Sequence, residues 1–222
     1  MTHGMTRAMR GTPIRRTQAE RRDESERRLL DATAQVVAED GVSAATFEAI
    51  GRSAGYSRGL ATQKFGSKQG LIEALIADLH EKQDDALAAH HIDDMPGLDA
   101  LLEYVDLYLS HLAEGQATRA YFKLLAGAVA DASELRAAFG GSHDRVKDRL
   151  SRLVARGRAA GQVRREVDPD AAALMVGSLL LGVSIQWLVD PDTDIDAIRR
   201  TSLRTLRLAL AAPGVVTQET RP

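Results

Sequence analysis

A chain of 222 residues is long enough to bury a hydrophobic core without crosslinks, as one compact unit or two small ones. The sequence contains no cysteine, which excludes disulfides, thiolate nucleophiles and cysteine-ligated zinc and suits a reducing cytoplasm, the predicted location. The formal net charge is only −2, but residues 1–68 hold 12 Lys and Arg against 8 Asp and Glu, whereas the remainder holds 17 against 23; a polyanion is therefore expected to bind at the N-terminal end only.

The first residues of the chain are rich in arginine. Residues 1–17 are predicted to form a flexible basic arm and not a signal peptide, because a signal peptide needs an apolar segment that these residues lack. A tail whose arginines are merely solvated would have the same composition, so the role of the arm stays open. Residues 213–222 are predicted to be a loose tail.

Helical periodicity dominates the remaining sequence, and the predicted fold class is all-α with about nine helices. The first helix is predicted from Gln18 to Glu39, with Gly41 ending it in a left-handed conformation. Thr46, Ser57 and Ser67 are potential N-caps, and they predict three abrupt helix starts. The later helices are predicted over residues 47–53, 58–64, 68–89, 98–112, 117–130, 133–160, 169–189 and 195–211.

The predicted helices 47–53 and 58–64 are short and are joined by a turn that contains a glycine. This arrangement is typical of a helix-turn-helix motif, whose second helix enters the major groove of DNA. Residues 18–66 are predicted to form this DNA-binding domain. Its small core is expected to consist of Phe47, Ile50, Ala54, Ala61 and Phe65, which have the required spacing.

The outward side of the second short helix carries side chains that suit DNA. Arg58 can bind guanine, Leu60 can touch a thymine methyl and Gln63 can reach adenine. Hydroxyl and lysine side chains around them suit phosphates, although the same pattern could be a solvated helix face. The candidate DNA contacts are Thr46, Ser57, Arg58, Gly59, Leu60, Thr62, Gln63, Lys64 and Lys68.

These residues resemble the TetR family of transcription regulators. The resemblance rests on Thr46-x-x-x-Ile50, Ala54-Gly55-Tyr56-Ser57-x-Gly59 and Phe65-Gly66-Ser67-Lys68-x-x-Leu71, and its specific motifs cover about the first 75 residues. It implies a homodimer that binds palindromic double-stranded operator DNA, usually as a repressor, and a C-terminal domain whose small-molecule effector changes the distance between the recognition helices. The family's usual aromatic residue and histidine are replaced by Thr62 and Lys64, which makes the contact pattern less transferable.

Residues 67–212 are predicted to form the ligand-binding and dimerisation domain. Its segment 171–189 holds no charged residue and is almost long enough to span a membrane, but it lacks basic anchors nearby and contains polar and small residues. A core or dimer helix is therefore predicted and no membrane span, and a helix buried within one protomer stays possible. By the resemblance, the last two helices form the dimer interface, with Leu174, Gly177, Leu181, Gly182, Ile185, Leu203, Leu206 and Leu210 as candidates.

A pocket for the effector is predicted among aromatic and polar side chains of the C-terminal domain, since small-molecule sites are mostly apolar with a few polar groups. Ordinary core packing would use the same residue types. The candidates are Tyr104, Tyr108, His111, Tyr121, Phe122, Met175 and Trp187.

No signature of catalysis is found in the sequence. His80-Glu81 begins like a helical zinc-protease motif, but Asp84 stands where its second histidine is needed. No phosphate-binding glycine loop or nucleophile elbow is present. We therefore predict a sequence-specific DNA-binding regulator that is not an enzyme and needs no metal or cofactor. The alternative is a helical dimerisation or adaptor protein without specific DNA binding.

Overall fold

The computed structural model describes residues 17–112, 115–130 and 135–214. Within these ranges the chain forms nine α-helices, two short 3₁₀ turns and no β-strand, which confirms the predicted fold class. The predicted arm lies outside them except for Thr17, and the predicted tail lies outside them from residue 215. The helices are α1 (Gln18–Asp40), α2 (Phe47–Ala54), α3 (Arg58–Phe65), α4 (Lys68–Ala89), α5 (Gly97–Leu112), α6 (Gln116–Ala130), α7 (Leu135–Ala159), α8 (Pro169–Val189) and α9 (Ile195–Leu210).

Side-chain caps start the N-terminal helices. The hydroxyls of Thr46, Ser57 and Ser67 each accept a backbone N–H three residues later, which confirms the three predicted caps of α2, α3 and α4. Gly41 ends α1 with φ +87° and ψ 173°, so its φ is positive, but the predicted left-handed helical conformation is wrong there. Thr17 caps α1 together with Glu20 in a capping box that the sequence analysis did not identify.

The N-terminal helices share one hydrophobic core with part of the C-terminal half. The stripe from Leu29 to Val37 on α1 is buried, as its spacing predicts. It packs with Ile50 of α2, Ala61 of α3 and the first turns of α4. Residues of α6 complete the cluster, so the core crosses the boundary predicted between residues 66 and 67.

Polar contacts hold α1 against the body formed by α5–α9 and the outer half of α4. The Lys123 ammonium of α6 donates to the carbonyl oxygen of Ala38 at 2.6 Å and thereby binds the otherwise unpaired C-terminal end of α1. Lys82 of α4 forms an ion pair with Asp31 of α1 at 2.9 Å. The orientation of the N-terminal helices therefore depends on both α4 and α6.

A second core lies between α5, α7, α8 and α9. Seven residues of α8 are buried in it, including Ser184, whose hydroxyl lies 3.0 Å from the Tyr108 hydroxyl of α5. By length and apolar composition α8 could also cross a membrane, but core helices of soluble proteins meet the same criterion. The packing of one face into the body agrees with the predicted core or dimer helix.

The helices α5 and α7 cross where each carries a glycine. A Cβ atom on Gly97 would lie 2.5 Å from the carbonyl oxygen of Leu153 and 2.6 Å from the Cα atom of Gly157. Real side-chain atoms cannot come that close, so the crossing requires a glycine at position 97.

Gly97→Ala is expected to destabilise the protein by about 2–3 kcal/mol, because the new methyl group forces two backbones apart. Gly141→Ala is the matched control on α7, where a Cβ atom would meet nothing within 4 Å; it should be neutral or stabilise the protein by about 0.5–1 kcal/mol. Urea unfolding followed by circular dichroism measures both changes. Equal stability of the two variants would contradict the tight crossing.

Candidate functional site

The turn between α2 and α3 is held by two glycines. Gly55 adopts the left-handed conformation with φ +75° and ψ 27°, and the Tyr56 N–H donates to the Gly51 carbonyl at 2.8 Å. A Cβ atom on Gly51 would lie 2.9 Å from the Tyr56 carbonyl oxygen. Gly51 was not among the predicted residues of the turn, although a glycine inside a short helix is costly and often indicates such a close approach.

The helix α3 has a buried side and a solvent side, as predicted. Ala61 is fully buried and Phe65 is half-buried against the N-terminal core. The other side exposes Arg58, Gly59, Thr62 and Gln63, while Leu60 is half-buried. A guanidinium and an amide are thus free to reach base edges.

The cap residues combine a structural role with a free hydroxyl proton. Thr46 and Ser57 each accept one backbone N–H, at 3.2 Å, and can still donate to a phosphate oxygen. Lys68 is exposed and donates to the Ser43 carbonyl at 3.3 Å, a contact that a phosphate can replace. Thr62 donates to the Arg58 carbonyl within α3 at 3.0 Å.

Lys64 does not face outwards, and that prediction is wrong. Its side chain is only 9% exposed. The ammonium donates to the Arg22 carbonyl at 2.8 Å and lies 3.3 Å from the Glu26 carboxylate, so it joins the C-terminal end of α3 to α1. A long side chain can reach a neighbouring helix in this way, which helical spacing cannot predict.

A cavity of about 460 Å³ lies in the body between α4, α5, α6, α7 and α8. Its size is in the range that holds drug-sized ligands. Aromatic and aliphatic side chains dominate the wall, with hydroxyl, amide and imidazole groups among them. Five of the seven predicted pocket residues line it: Tyr104, Tyr108, His111, Tyr121 and Phe122.

The predicted positions of Met175 and Trp187 on the pocket wall are wrong. Met175 is 45% exposed on the outer side of α8. Trp187 is buried beyond the cavity, with the Arg119 guanidinium 5.3 Å from its ring centre. Which side of α8 faces which neighbour follows from its packing and not from its nearly continuous apolar sequence.

Burial moves the ionisation of the cavity phenols further from physiological pH, at which a phenol is already neutral. It raises the pKa of Tyr104 to about 12 and also raises the pKa values of Tyr108 and Tyr121. His80 was not among the predicted pocket residues, but it lines the cavity and contacts the Ser142 hydroxyl. Burial and then the charge of Arg145 lower the pKa of His80, with Asp84 opposing them.

An apolar face covers the outer side of α8. Among the residues that the structure describes, six of the seven exposed large hydrophobic side chains lie on α8 or α9. Val189 is 77% exposed and Ile185 is 37% exposed. The set on the two helices, here called the α8–α9 face, is Leu174, Met175, Leu181, Ile185, Val189 and Leu208.

The predicted interface residues divide between this face and the core. Leu174, Leu181 and Ile185 belong to the face, and Gly182 is exposed beside them. A Cβ atom on Gly177 or Gly182 would meet nothing within 4 Å, so packing inside the protomer requires neither glycine.

The prediction of Leu206 and Leu210 as interface residues is wrong, because each is 3% exposed and packs into the body core. Leu203 is half-buried on the same inner side of α9. The helical spacing of these three leucines puts them on one stripe, and the body core covers that stripe.

No group of three or more His, Asp or Glu residues that could hold a metal ion is present in the part of the chain that the structure describes. His90 lies 3.3 Å from Glu103, which makes a single polar contact at the surface.

Two family models match the chain. The model described as "Bacterial regulatory proteins, tetR family" matches residues 29–75, and the model described as "BetI-type transcriptional repressor, C-terminal" matches residues 97–211. The first covers the two short helices and their neighbours, and the second covers more than half of the chain, including the cavity-lining α5–α8.

Known proteins resemble the chain over most of its length or over a part of it. The transcriptional regulator TtgR of Pseudomonas putida is 27% identical over 211 residues, which cover 89% of this chain and 98% of that protein. The regulator BetI of Cronobacter sakazakii is 40% identical over 63 residues, which cover 28% of this chain and 31% of that protein. The structure of SmeT, the repressor of the Stenotrophomonas maltophilia multidrug efflux pump SmeDEF, superposes with a TM-score of 0.72 at 25% identity, covering 90% of this chain and 98% of that one.

Lys64→Ala is expected to destabilise the protein by about 1–2 kcal/mol, because it removes a hydrogen bond from a charged donor at the α1–α3 contact. Lys68→Ala, on an exposed lysine nearby, should leave the stability almost unchanged. Thermal unfolding measures both. If Lys64→Ala instead left stability intact and lowered the salt dependence of DNA binding by one charge, Lys64 would be a phosphate contact after all.

Proposed function

Because this chain belongs to the TetR family of bacterial transcriptional regulators, we propose that it is a repressor whose helix α3 reads a palindromic operator. The observation that carries the proposal is the exposed side of α3, where Arg58, Thr62 and Gln63 project from a helix fixed by a buried inner side. The family is one of soluble DNA-binding regulators, which fits a cytoplasmic protein without catalytic activity.

We assign the base contacts to Arg58 and Gln63, with Leu60 near a thymine methyl. Thr46, Ser57 and Lys68 are assigned to phosphates on either side of the groove, where hydroxyl and ammonium donors fix the register without reading sequence. Gly59 leaves room for the DNA backbone beside the start of α3.

The α8–α9 face supports a homodimer. Exposed apolar side chains recur along one side of α8 over several turns, which is unfavourable for a protomer in water. Gly177 and Gly182 would allow two copies of α8 to approach closely. Two-fold symmetry would then present two α3 helices to half-sites about 34–36 Å apart, or a multiple of that distance.

An effector in the cavity would act on the recognition helices through α4 and α6. Leu79, His80 and Gln83 of α4 line the cavity, and the same helix starts directly after α3. Tyr121 and Phe122 of α6 line it too, next to Lys123, which binds the end of α1. The coupling equals the difference in effector affinity between the two states, commonly about 1–3 kcal/mol.

Selection of bound sequences from random double-stranded DNA tests this function. The expected result is one palindrome with a half-site spacing of one helical turn or a multiple. Enrichment without a palindrome would refute the symmetric operator, and no enrichment above random DNA would favour an adaptor protein instead.

Arg58→Ala is expected to reduce affinity for the selected operator by about 1–3 kcal/mol and to relax the preference at one base pair of each half-site, because a bidentate base contact is lost. Arg165→Ala is the matched control, since Arg165 is exposed in the loop before α8 and far from α3 in the sequence. Fluorescence anisotropy on the operator and on its single-base variants measures both. A uniform loss on all sequences would make Arg58 a phosphate contact.

Ile185→Glu is expected to convert the dimer to a monomer, because two carboxylates would be buried against an apolar surface. Val129→Glu is the control: Val129 lies on α6, outside the α8–α9 face, and is 63% exposed. Sedimentation velocity gives the mass of each variant, and circular dichroism checks its fold. A dimeric Ile185→Glu protein would place the interface elsewhere.

A further inference from the structure

The wall of the 460 Å³ cavity carries no carboxylate among the residues that the structure describes around it. Its charged side chains are Lys82 and Lys147, and Lys82 is paired with Asp31 and Asp78 at 2.9 Å each. The buried tyrosines are neutral, because a phenol is un-ionised at physiological pH and burial raises their pKa values further. A cationic ligand would therefore lose its hydration there without gaining a countercharge.

A smaller cleft of about 170 Å³ adjoins this cavity and holds the basic groups. Arg145, Arg149 and Arg152 follow each other at spacings of four and three residues on α7, so they share one side of that helix. Arg149 is paired with Asp84 at 2.9 Å. Within the described residues Arg145, Arg152 and Asp148 form no ion pair. The cleft is therefore lined by three arginines and two carboxylates, Asp84 and Asp148, which leaves one positive charge in excess.

The two spaces share part of their walls, including His80, Gln83, Tyr104 and Ser142. The charge of Arg145 acts on His80 from the cleft side, since it lowers the pKa of that imidazole together with burial, against Asp84. A positive potential therefore reaches the boundary between the apolar cavity and the basic cleft. A ligand that lay across this boundary would have chemically different surroundings at its two ends.

We propose that the effector is an amphiphilic carboxylate. Its apolar part fills the cavity between α4, α5, α6 and α8, and its carboxylate binds the guanidinium groups of Arg145 and Arg152, which match carboxylates in geometry. The effect of this ligand on operator binding rests on the proposed function. The binding of the ligand to the protein does not. The proposal assigns a ligand role to two arginines that are exposed on the solvent side of the cleft.

Calorimetric titration of the full-length protein without DNA tests the charge preference. Three probes share a ten-carbon chain and differ in the head group: decanoate and decyltrimethylammonium, each below its micellar concentration, and 1-decanol below its solubility limit. Decanoate is expected to bind about ten-fold more tightly than 1-decanol, because it gains charge-assisted hydrogen bonds. Decyltrimethylammonium is expected to bind more weakly than 1-decanol.

Substitutions separate the carboxylate site from general affinity for amphiphiles. Arg145→Gln combined with Arg152→Gln should lower the decanoate affinity about ten-fold and leave 1-decanol binding unchanged. The pair Arg145→Lys and Arg152→Lys should retain most of the decanoate affinity, since the charge is kept. Arg165→Gln removes the same charge outside both spaces and should change nothing.

The results distinguish this inference from the proposed function. Tightest binding of decyltrimethylammonium, absent decanoate binding, or an unchanged decanoate affinity in the double Gln variant would overturn the carboxylate assignment. In each of these cases the protein without ligand would still bind its selected operator. If it bound no operator but preferred decanoate as expected, the repressor function would fail and the ligand site would stand.

Discussion

The packing of α6 against α1 is the contact through which the body of the protein holds the N-terminal helices in place. It closes the N-terminal core with residues of the body, and Lys123 adds a bond to the free carbonyl end of α1. Without it α3 would be tied to the body through α4 and through Phe139 of α7, which also packs into the N-terminal core. Because α6 also forms part of the cavity wall, one helix contacts both the space for a ligand and the helices that hold α3.

The helix α8 meets three different environments around its circumference. One side is buried with α5 and α7, a second side contributes Leu174, Gly177 and Leu181 to the cavity, and the outer side forms most of the α8–α9 face. Leu174 and Leu181 belong to both the cavity wall and that face. Under the proposed dimer, a partner would therefore lie next to the ligand, and ligand binding and dimerisation would influence each other through shared side chains.

Local rules predicted the helices and the recognition turn well, because hydroxyl caps, glycines and apolar spacing act over a few residues. The starts of α2, α3 and α4 follow from Thr46, Ser57 and Ser67 in this way. The predictions that were wrong concern residues whose positions depend on neighbours far away in the sequence. Lys64 turns to a carbonyl of α1 some 42 positions away in the chain, and Trp187 lies in the core behind the cavity.

The sequence by itself determined an all-helical chain and predicted a basic N-terminal end suited to DNA, since amphipathic periodicity, capping chemistry and charge are local properties. Only the tertiary structure decided which sides of α8 and α9 face water, and hence that Leu206 and Leu210 are core residues while Ile185 is exposed. When a helix is apolar on every side, its sequence does not indicate which side packs against which neighbour. The same holds for the cavity, whose walls come from five helices brought together by packing.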